Sequence, residues 1–324
     1  MTTEPNSRVT DGQMLAVQFD EPGGLDVLRV REIARPVPGA DEVIVAFEAS
    51  VINPADVKIR SGQIPVRGGS LPVTLGYDLV GRIAAVGVDV TGLEVGTRVA
   101  AMSALAITGV GAWSEYVRLS AASVAPAPGE PEPAVLAQLP LAGLTAWQGI
   151  DALKLQAGDE VLVTGAAGAV GKLAVQVLLG RGHPVRALIR DTTQVGQVPA
   201  GVQVETDTPD AGSVDAILDT AGIDASTALR SGGRHITVVP GSAAEAAKLI
   251  ITRESGEMLA DLLDMVARGE LRLDPTVRFG LRDVRAAHER LTQERLAKIR
   301  GGRIALVSRP IHSPVHSPQC ADTN

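Results

Sequence analysis

Residues 160–190, EVLVTGAAGAVGKLAVQVLLGRGHPVRALIR, constrain the fold of this chain more than any other stretch. Val161, Leu162 and Val163 form an apolar run with the character of a buried strand. A turn of small residues follows, Gly165-Ala166-Ala167-Gly168-Ala169-Val170-Gly171, and then a helical pattern with Ala174, Val177 and Leu178 on one face. Val185–Ile189 supplies a second strand. Strand, glycine turn, helix and strand make up a dinucleotide-binding unit. Glycines let the backbone approach a pyrophosphate, and the helix start offers unpaired N–H groups at the positive end of its dipole. The spacing here is G-x-x-G-x-x-G, a variant of the usual fingerprint in the required context. A turn of small residues that merely packs one βα unit is the alternative.

The residue at the end of the second strand distinguishes the two nicotinamide dinucleotides. An acidic residue there holds the ribose 2′-hydroxyl of NAD. This chain has Arg190, whose planar guanidinium suits a 2′-phosphate, so NADP(H) is expected. Asp191 follows immediately and would compete for the ribose if the strand ran one residue further.

At 324 residues, 45% apolar and 21% charged, the chain is long enough for two globular domains. Two Trp, two Tyr and three Phe leave little for base stacking, and a net charge of −7 gives no basic surface for a phosphate backbone. Nucleic acid is therefore not an expected partner. The single cysteine, Cys320, excludes an internal disulfide framework. No basic–apolar leader opens the chain, and no apolar run reaches the length of a membrane span, so a cytoplasmic protein without membrane contact is expected.

Short strands at Met14–Phe19, Leu28–Glu32, Glu42–Ile52, Gly81–Val86 and Arg98–Ala101 make the first third β-rich, with a connector at Ala125–Pro133. A helix over Ala142–Leu153 leads into the nucleotide unit. Further strands are expected at Val202–Glu205, Val214–Asp219, His235–Val239 and Lys248–Thr252, the repeat of a doubly wound sheet. Glu257–Arg268 reads as an amphipathic helix, and Val277–Phe279, Arg282–Leu296 and Arg303–Val307 as a return to the first domain. The expected division is 1–135 with 275–310, 136–274, and a disordered tail over 311–324. His312, His316 and Cys320 lie in that tail, where prolines prevent a shared helix face for a metal. Thr192–Pro199 carries no convincing helix.

Four stretches in order, VINPADVKIRSG from Val51, LGYDLVGRI from Leu75, LTAW from Leu144 and the glycine turn, resemble the medium-chain dehydrogenase/reductase superfamily. Within it the chain is most similar to the zinc-free quinone oxidoreductase (zeta-crystallin-like) branch, over about Met14 to Val307. The resemblance implies an α/β fold, with a Rossmann doubly wound parallel sheet plus a GroES-like β-rich catalytic domain and a cleft between them. It also implies a homodimer joined through the edge strand Lys248–Thr252. The zinc-dependent branch has a Cys ligand where this chain has Asn53, and one tail cysteine builds neither a catalytic nor a structural zinc site. No metal is expected. Hydride transfer from NADPH to a quinone or an α,β-unsaturated carbonyl is the chemistry that remains, with a hydrogen-bond donor for the resulting anion. An enoyl reductase tailoring a biosynthetic, polyketide-like intermediate is a second enzyme reading, and a non-catalytic NADPH-binding relative a third.

On this resemblance Asn53 and Tyr77 are the expected catalytic residues. Asn53 would bond the nicotinamide ribose or the substrate carbonyl, unless it only forms an Asn–Pro turn. Thr145 would face the nicotinamide, or bond its own helix backbone. The glycine turn from Gly165 to Gly171, with Arg190, Ala221 and Val239, completes the cofactor set. Ile64 stands where many relatives carry a Tyr; with Tyr77 and Trp113 it is expected on the substrate side, beside the loop Ala104–Trp113. Asp56 and Arg60 are expected to pair across one helical turn, and Lys172 to be solvated.

Overall fold

A computed structural model describes residues 12–296 and 302–308. His312, His316, Cys320 and the rest of the expected tail lie outside the described residues. The first part of the chain builds β1 (Gln13–Phe19), β2 (Arg29–Ala34), β3 (Glu42–Val51), α1 (Pro54–Arg60), β4 (Val73–Thr74), β5 (Asp78–Val86), β6 (Arg98–Met102), α2 (Leu105–Thr108), β7 (Tyr116–Ser120), β8 (Val124–Pro126) and α3 (Pro133–Leu136). Then come α4 (Pro140–Leu153), β9 (Val161–Thr164), α5 (Ala169–Gly180), β10 (Val185–Leu188), β11 (Gln203–Glu205), β12 (Val214–Asp219), β13 (Leu229–Thr237), β14 (Lys248–Leu249) and α6 (Gly256–Ala267). The chain closes with β15 (Thr276–Gly280), α7 (Val284–Leu296) and β16 (Arg303–Val307).

β1, β2 and β4 form a small antiparallel sheet, and a larger one runs β15-β16-β3-β5-β6-β8, with β7 paired to β3. β16 joins β3 antiparallel, Leu306 opposite Ser50, so the chain's return is hydrogen-bonded into the first sheet. β7 and β8 were not read from the sequence, and β8 takes in part of the expected connector. In β7 alternate residues bury Val117 and Leu119 and leave Arg118 and Ser120 to solvent, while β8 buries both Val124 and Ala125.

The third sheet is parallel, in the order β11-β10-β9-β12-β13-β14, which is the strand order of a Rossmann fold. Its switch point lies between β9 and β12, where Thr164 pairs with Asp219 at the C-terminal ends. α4, α5 and α6 share one core with Val161, Val163, Val185, Ala187, Ala216, Leu218 and Ile236. The opposite face carries a smaller cluster, Leu162, Leu188, Val214, Ile217, Ala225 and Ala228. Among the described residues the connections from β10 to β13 contain two 3₁₀ helices, Thr192–Gln197 and Ser226–Ala228, and no α-helix. The first occupies a segment from which no helix was expected; the Asp191 side chain caps it by accepting from the Thr193 backbone N–H at 3.1 Å. Parallel sheets normally bury both faces under helices. Here ion pairs flank the thinly covered face, Arg186 with Glu160 at 2.9 Å and Arg230 with Asp215 at 2.6 Å. The strand expected over Lys248–Thr252 is only two residues long. Among the described residues no helix is long and apolar enough to cross a membrane.

Candidate active site

β9 ends at Thr164 and the chain turns through Gly165, whose φ of +63° is open to glycine. Gly168 is the N-cap of α5. A Cβ on Gly171 would lie 2.3 Å from the Gly165 carbonyl oxygen, so helix and turn touch as only glycine allows. Ala166 and Ala167 are buried and the Ala166 N–H donates to the Leu188 carbonyl at 3.2 Å, which makes them supports of the turn. Gly165, Gly168, Ala169 and Val170 are half-buried, and the first-turn N–H groups of α5 are those a helix leaves without internal partners.

Beneath this cradle sits a residue the sequence reading passed over. Asp219, at the end of β12, is fully buried. One of its oxygens accepts from the Thr164 hydroxyl (2.6 Å) and the backbone N–H groups of Ala221 (3.1 Å), Gly222 (2.9 Å) and Ile223 (3.3 Å). The other accepts from the hydroxyls of Thr237 (2.8 Å) and Ser242 (2.7 Å). Burial pushes its carboxyl up, but the Thr164, Ser242 and Thr237 hydroxyls and the Ala221 N–H outweigh this and hold it below its usual value. One carboxylate therefore ties the ends of β9, β12 and β13 to the loops bearing Ala221, which is exposed, and Val239, which is half-buried.

At the end of β10 the Arg190 side chain is 61% exposed, and its Nε lies 3.2 Å from Asp191 Oδ2. Asp191 is otherwise occupied with the Thr193 N–H and hydroxyl, which with Arg190 lower its pKa. The carboxylate that would compete for a ribose is thus already engaged.

The first domain contributes a second buried network. Asn53 caps α1 and is 4% exposed; its Nδ2 donates to Asp78 at 2.5 Å, and its Oδ1 accepts from Arg303 at 2.9 Å. Asp78 also accepts from the Leu141 N–H at 2.7 Å, which ties β5 to the start of α4. Burial pushes the Asp78 carboxyl up to about 6, against hydrogen bonds from Leu141 and Asn53 and the nearby Arg303. Asp56 is fully buried, accepts from the Asn53 N–H at 2.7 Å, and is also raised by burial. The expected Asp56–Arg60 pair does not form. Arg60 instead donates to the Gly23 carbonyl at 3.2 Å, because the capping box takes Asp56. Lys172 is likewise not solvated: its Nζ lies 2.9 Å from both oxygens of Asp274.

Tyr77 is 8% exposed; burial, with the Asp56 charge, raises its hydroxyl, while the Ala106 N–H pulls the other way. The Thr145 hydroxyl donates to the Leu141 carbonyl at 2.6 Å and lies 2.7 Å from the Thr252 hydroxyl, so it is bound within the protein. Ile64 is half-buried against the first-domain core. Trp113 is not on a substrate-facing surface. It is fully buried, its indole N–H donates to Ser50 at 2.9 Å, and its ring meets His288 edge-on. Arg303 and Glu254 were also missed; Glu254 accepts from the Ala104 N–H across the two domains.

Residues 39–129 match the alcohol dehydrogenase GroES-like domain and residues 195–297 the zinc-binding dehydrogenase family, while 158–223 also match the NmrA-like family. Over 284 residues the chain is 28% identical to 2-methylene-furan-3-one reductase of Solanum lycopersicum, covering 81% of this chain and 72% of that protein. Over 174 residues it is 35% identical to a mycocerosic acid synthase-like polyketide synthase of Mycobacterium tuberculosis, a match spanning 53% of this chain and 8% of the synthase. The quinone oxidoreductase of Coxiella burnetii superposes with a TM-score of 0.77 at 26% identity, covering 92% of this chain and all of that one (100%).

Proposed function

We propose that this chain, which matches the alcohol dehydrogenase GroES-like and zinc-binding dehydrogenase families and resembles a quinone oxidoreductase in structure, is an oxidoreductase of the medium-chain dehydrogenase/reductase superfamily that reduces a quinone or an α,β-unsaturated carbonyl with NADPH and without a metal. The observation that carries this reading is the occurrence, in one chain, of a glycine cradle at the sheet's switch point and a buried polar network of Asn53, Asp78 and Arg303.

Zinc does not fit these residues. The described residues contain no cysteine, position 53 is an amide, and the Arg303 guanidinium already donates to that amide. A fixed cation there opposes a second one. Without a Lewis acid to stabilise an alkoxide, an acceptor that is already electrophilic is the suitable substrate. The dinucleotide, when bound, supplies hydride at C4 of its nicotinamide.

The α5 N-terminus and the turn from Gly165 to Gly171 would hold the pyrophosphate, and Arg190 the 2′-phosphate. Asp219 fixes the loops of Ala221 and Val239 that border the crevice. Asn53, with one amide hydrogen given to Asp78, keeps a second for a ribose hydroxyl or substrate carbonyl. Tyr77 supplies a phenol that stays protonated at neutral pH. Thr145 shapes the crevice through its bond to Thr252. The curated relatives favour an enone over a quinone as natural acceptor, since one is a furanone reductase; the polyketide synthase similarity supports the enoyl-reductase variant of the same chemistry. Self-association through the β14 edge is part of the proposal, with Leu249 and Ile251 left 42% and 53% exposed.

The test is NADPH oxidation by chelator-treated protein against quinones, enones and simple aldehydes. Turnover with the first two classes is expected. Tight NADPH binding with no turnover would leave a binding protein, and turnover restored only by zinc would remove the metal-free reading.

A further inference from the structure

Hydride addition to an enone leaves an enolate, which must take a proton at carbon before the product can leave. The expected donor, Tyr77, is nearly buried. A carboxylic acid lies on the other side of the same turn. The segment after β14 is pinned at successive positions: Thr252 by its hydroxyl to Thr145 (2.7 Å), and Arg253 by two backbone bonds to the Gln148 amide (2.9 and 2.8 Å). Ser255 then caps α6 by accepting from the Met258 N–H at 3.2 Å. Glu254, between these fixed points, sends its side chain across to the first domain, where Oε1 accepts from the Ala104 N–H. The Ser103 N–H, one residue earlier, donates to the Tyr77 carbonyl at 2.7 Å, and the Ala106 N–H lies by the Tyr77 hydroxyl. Tyr77 and Glu254 are thus tied to a single turn, from opposite domains.

We propose that Glu254 delivers the proton to the reduced substrate, through its free oxygen Oε2. Among the described residues Oε2 has no hydrogen-bond partner, and it is not among the sealed polar atoms. Glu254 forms no ion pair there, and the α4 groups beside its segment, Thr145 and Gln148, are uncharged. On the facing side lie Tyr77, beside it Asp56 and Asp78 with Arg303, and Arg67, whose backbone N–H donates to the Ala106 carbonyl at 2.8 Å; neither cation shifts the Glu254 carboxyl, on which burial and the Ala104 N–H act. Burial, only partly offset by the Ala104 N–H, accordingly favours the neutral acid. The role rests on the reductase reading. In the step, the enolate α-carbon forms a C–H bond as the Glu254 O–H bond breaks; the carboxylate left behind is reprotonated by water. The substrate gains a hydride and a proton and the dinucleotide is oxidised, so electrons and atoms balance.

Quinone reduction provides the control, because its product anion is protonated at oxygen, which water does rapidly. Glu254→Gln keeps an oxygen to accept the Ala104 N–H, so it preserves the tie between domains. The expected result is enone kcat lower by about 100-fold or more, the scale of a lost general acid, with quinone kcat changed less than about threefold. NADPH affinity is unchanged, and the fall of wild-type enone kcat at high pH disappears. Glu254→Ala loses the tie as well and slows both reactions. Equal losses with both acceptors in Glu254→Gln, or a wild-type enone rate, would overturn the role. Wild-type protein inactive toward both acceptors would refute the reductase reading itself.

Discussion

Replacing Asp219 tests how the cofactor crevice is held. In Asp219→Ala, the Gly222 and Ile223 N–H groups and the Thr237 and Ser242 hydroxyls lose the acceptor they have within 3.3 Å, and the Thr164 hydroxyl loses its 2.6 Å bond. Each buried donor left unmade costs about 1–3 kcal/mol, hydroxyls least because they rotate to new partners. Breaking such a buried charged network costs about 3–5 kcal/mol in sum, or roughly 10 °C in Tm for a unit of this size. Asp219→Asn keeps one acceptor oxygen for the four-donor side and costs less, about 1.5–3 kcal/mol. Urea and thermal unfolding give these values, and fluorescence titration well below Tm gives NADPH affinity. Both variants should bind NADPH more weakly, by about tenfold or more in Asp219→Ala, since the Ala221 and Val239 loops lose their tether. Because the folded-state pKa of Asp219 is depressed, its stabilisation is present above the unfolded carboxyl value, 3.8, and fades as pH falls through the folded value. The gap between wild type and Asp219→Asn should therefore close in acid. An Asp219→Ala protein within about 1 kcal/mol of wild type, with intact NADPH affinity, would refute the reasoning.

Arg190→Ala should weaken NADPH binding by about tenfold or more and NADH by less than about twofold; equal losses would mean that Arg190 does not meet the 2′-phosphate. Gly171→Ala places a methyl 2.3 Å from the Gly165 oxygen, so dinucleotide binding should fall and stability drop by about 1–3 kcal/mol; an unchanged titration would show that the turn can relax. Asp78 and His288 should oppose each other in acid. Asp78 is raised from 3.8 to about 6, so its contribution is present below the unfolded value and is lost as pH rises through about 6. Burial, with Arg60 adding, lowers His288 from 6.5 to about 4, so the fold keeps its ring neutral and loses stability as pH falls from 6.5 through about 4. Asp78→Asn should therefore steepen the loss of stability toward acid, and His288→Phe should reverse its sign between about pH 4 and 6. Identical urea midpoints against pH in all three proteins would contradict both assignments.

The parts of the molecule legible from the sequence are those set by neighbours in the chain. Strand, glycine turn and α5 announce themselves through periodicity and small residues, and the parallel sheet follows from repeated apolar runs. The Asn53–Arg303 bond closes over 250 residues and Lys172–Asp274 over 102, beyond the reach of any local pattern. Asp56 and Arg60 had the right spacing to pair, but a capping box claimed the carboxylate first. Trp113 ends a glycine-rich loop and was expected on the substrate side; it is instead buried in the first-domain core, where Ser50 takes its N–H. Asp219 entered the sequence reading only as the end of an apolar strand, because its partners come from three strand ends and the loops beyond them. The weak helical signal beyond β10 agrees with the structure, in which Thr192–Gln197 forms a 3₁₀ helix and no α-helix.

The most direct test follows the hydride. With NADPH deuterated at C4 and an enone acceptor, metal-chelated protein should give a saturated ketone carrying one deuterium at its β-carbon. Its α-hydrogen should come from water. Product without deuterium, or no product from protein that binds NADPH, would contradict the account.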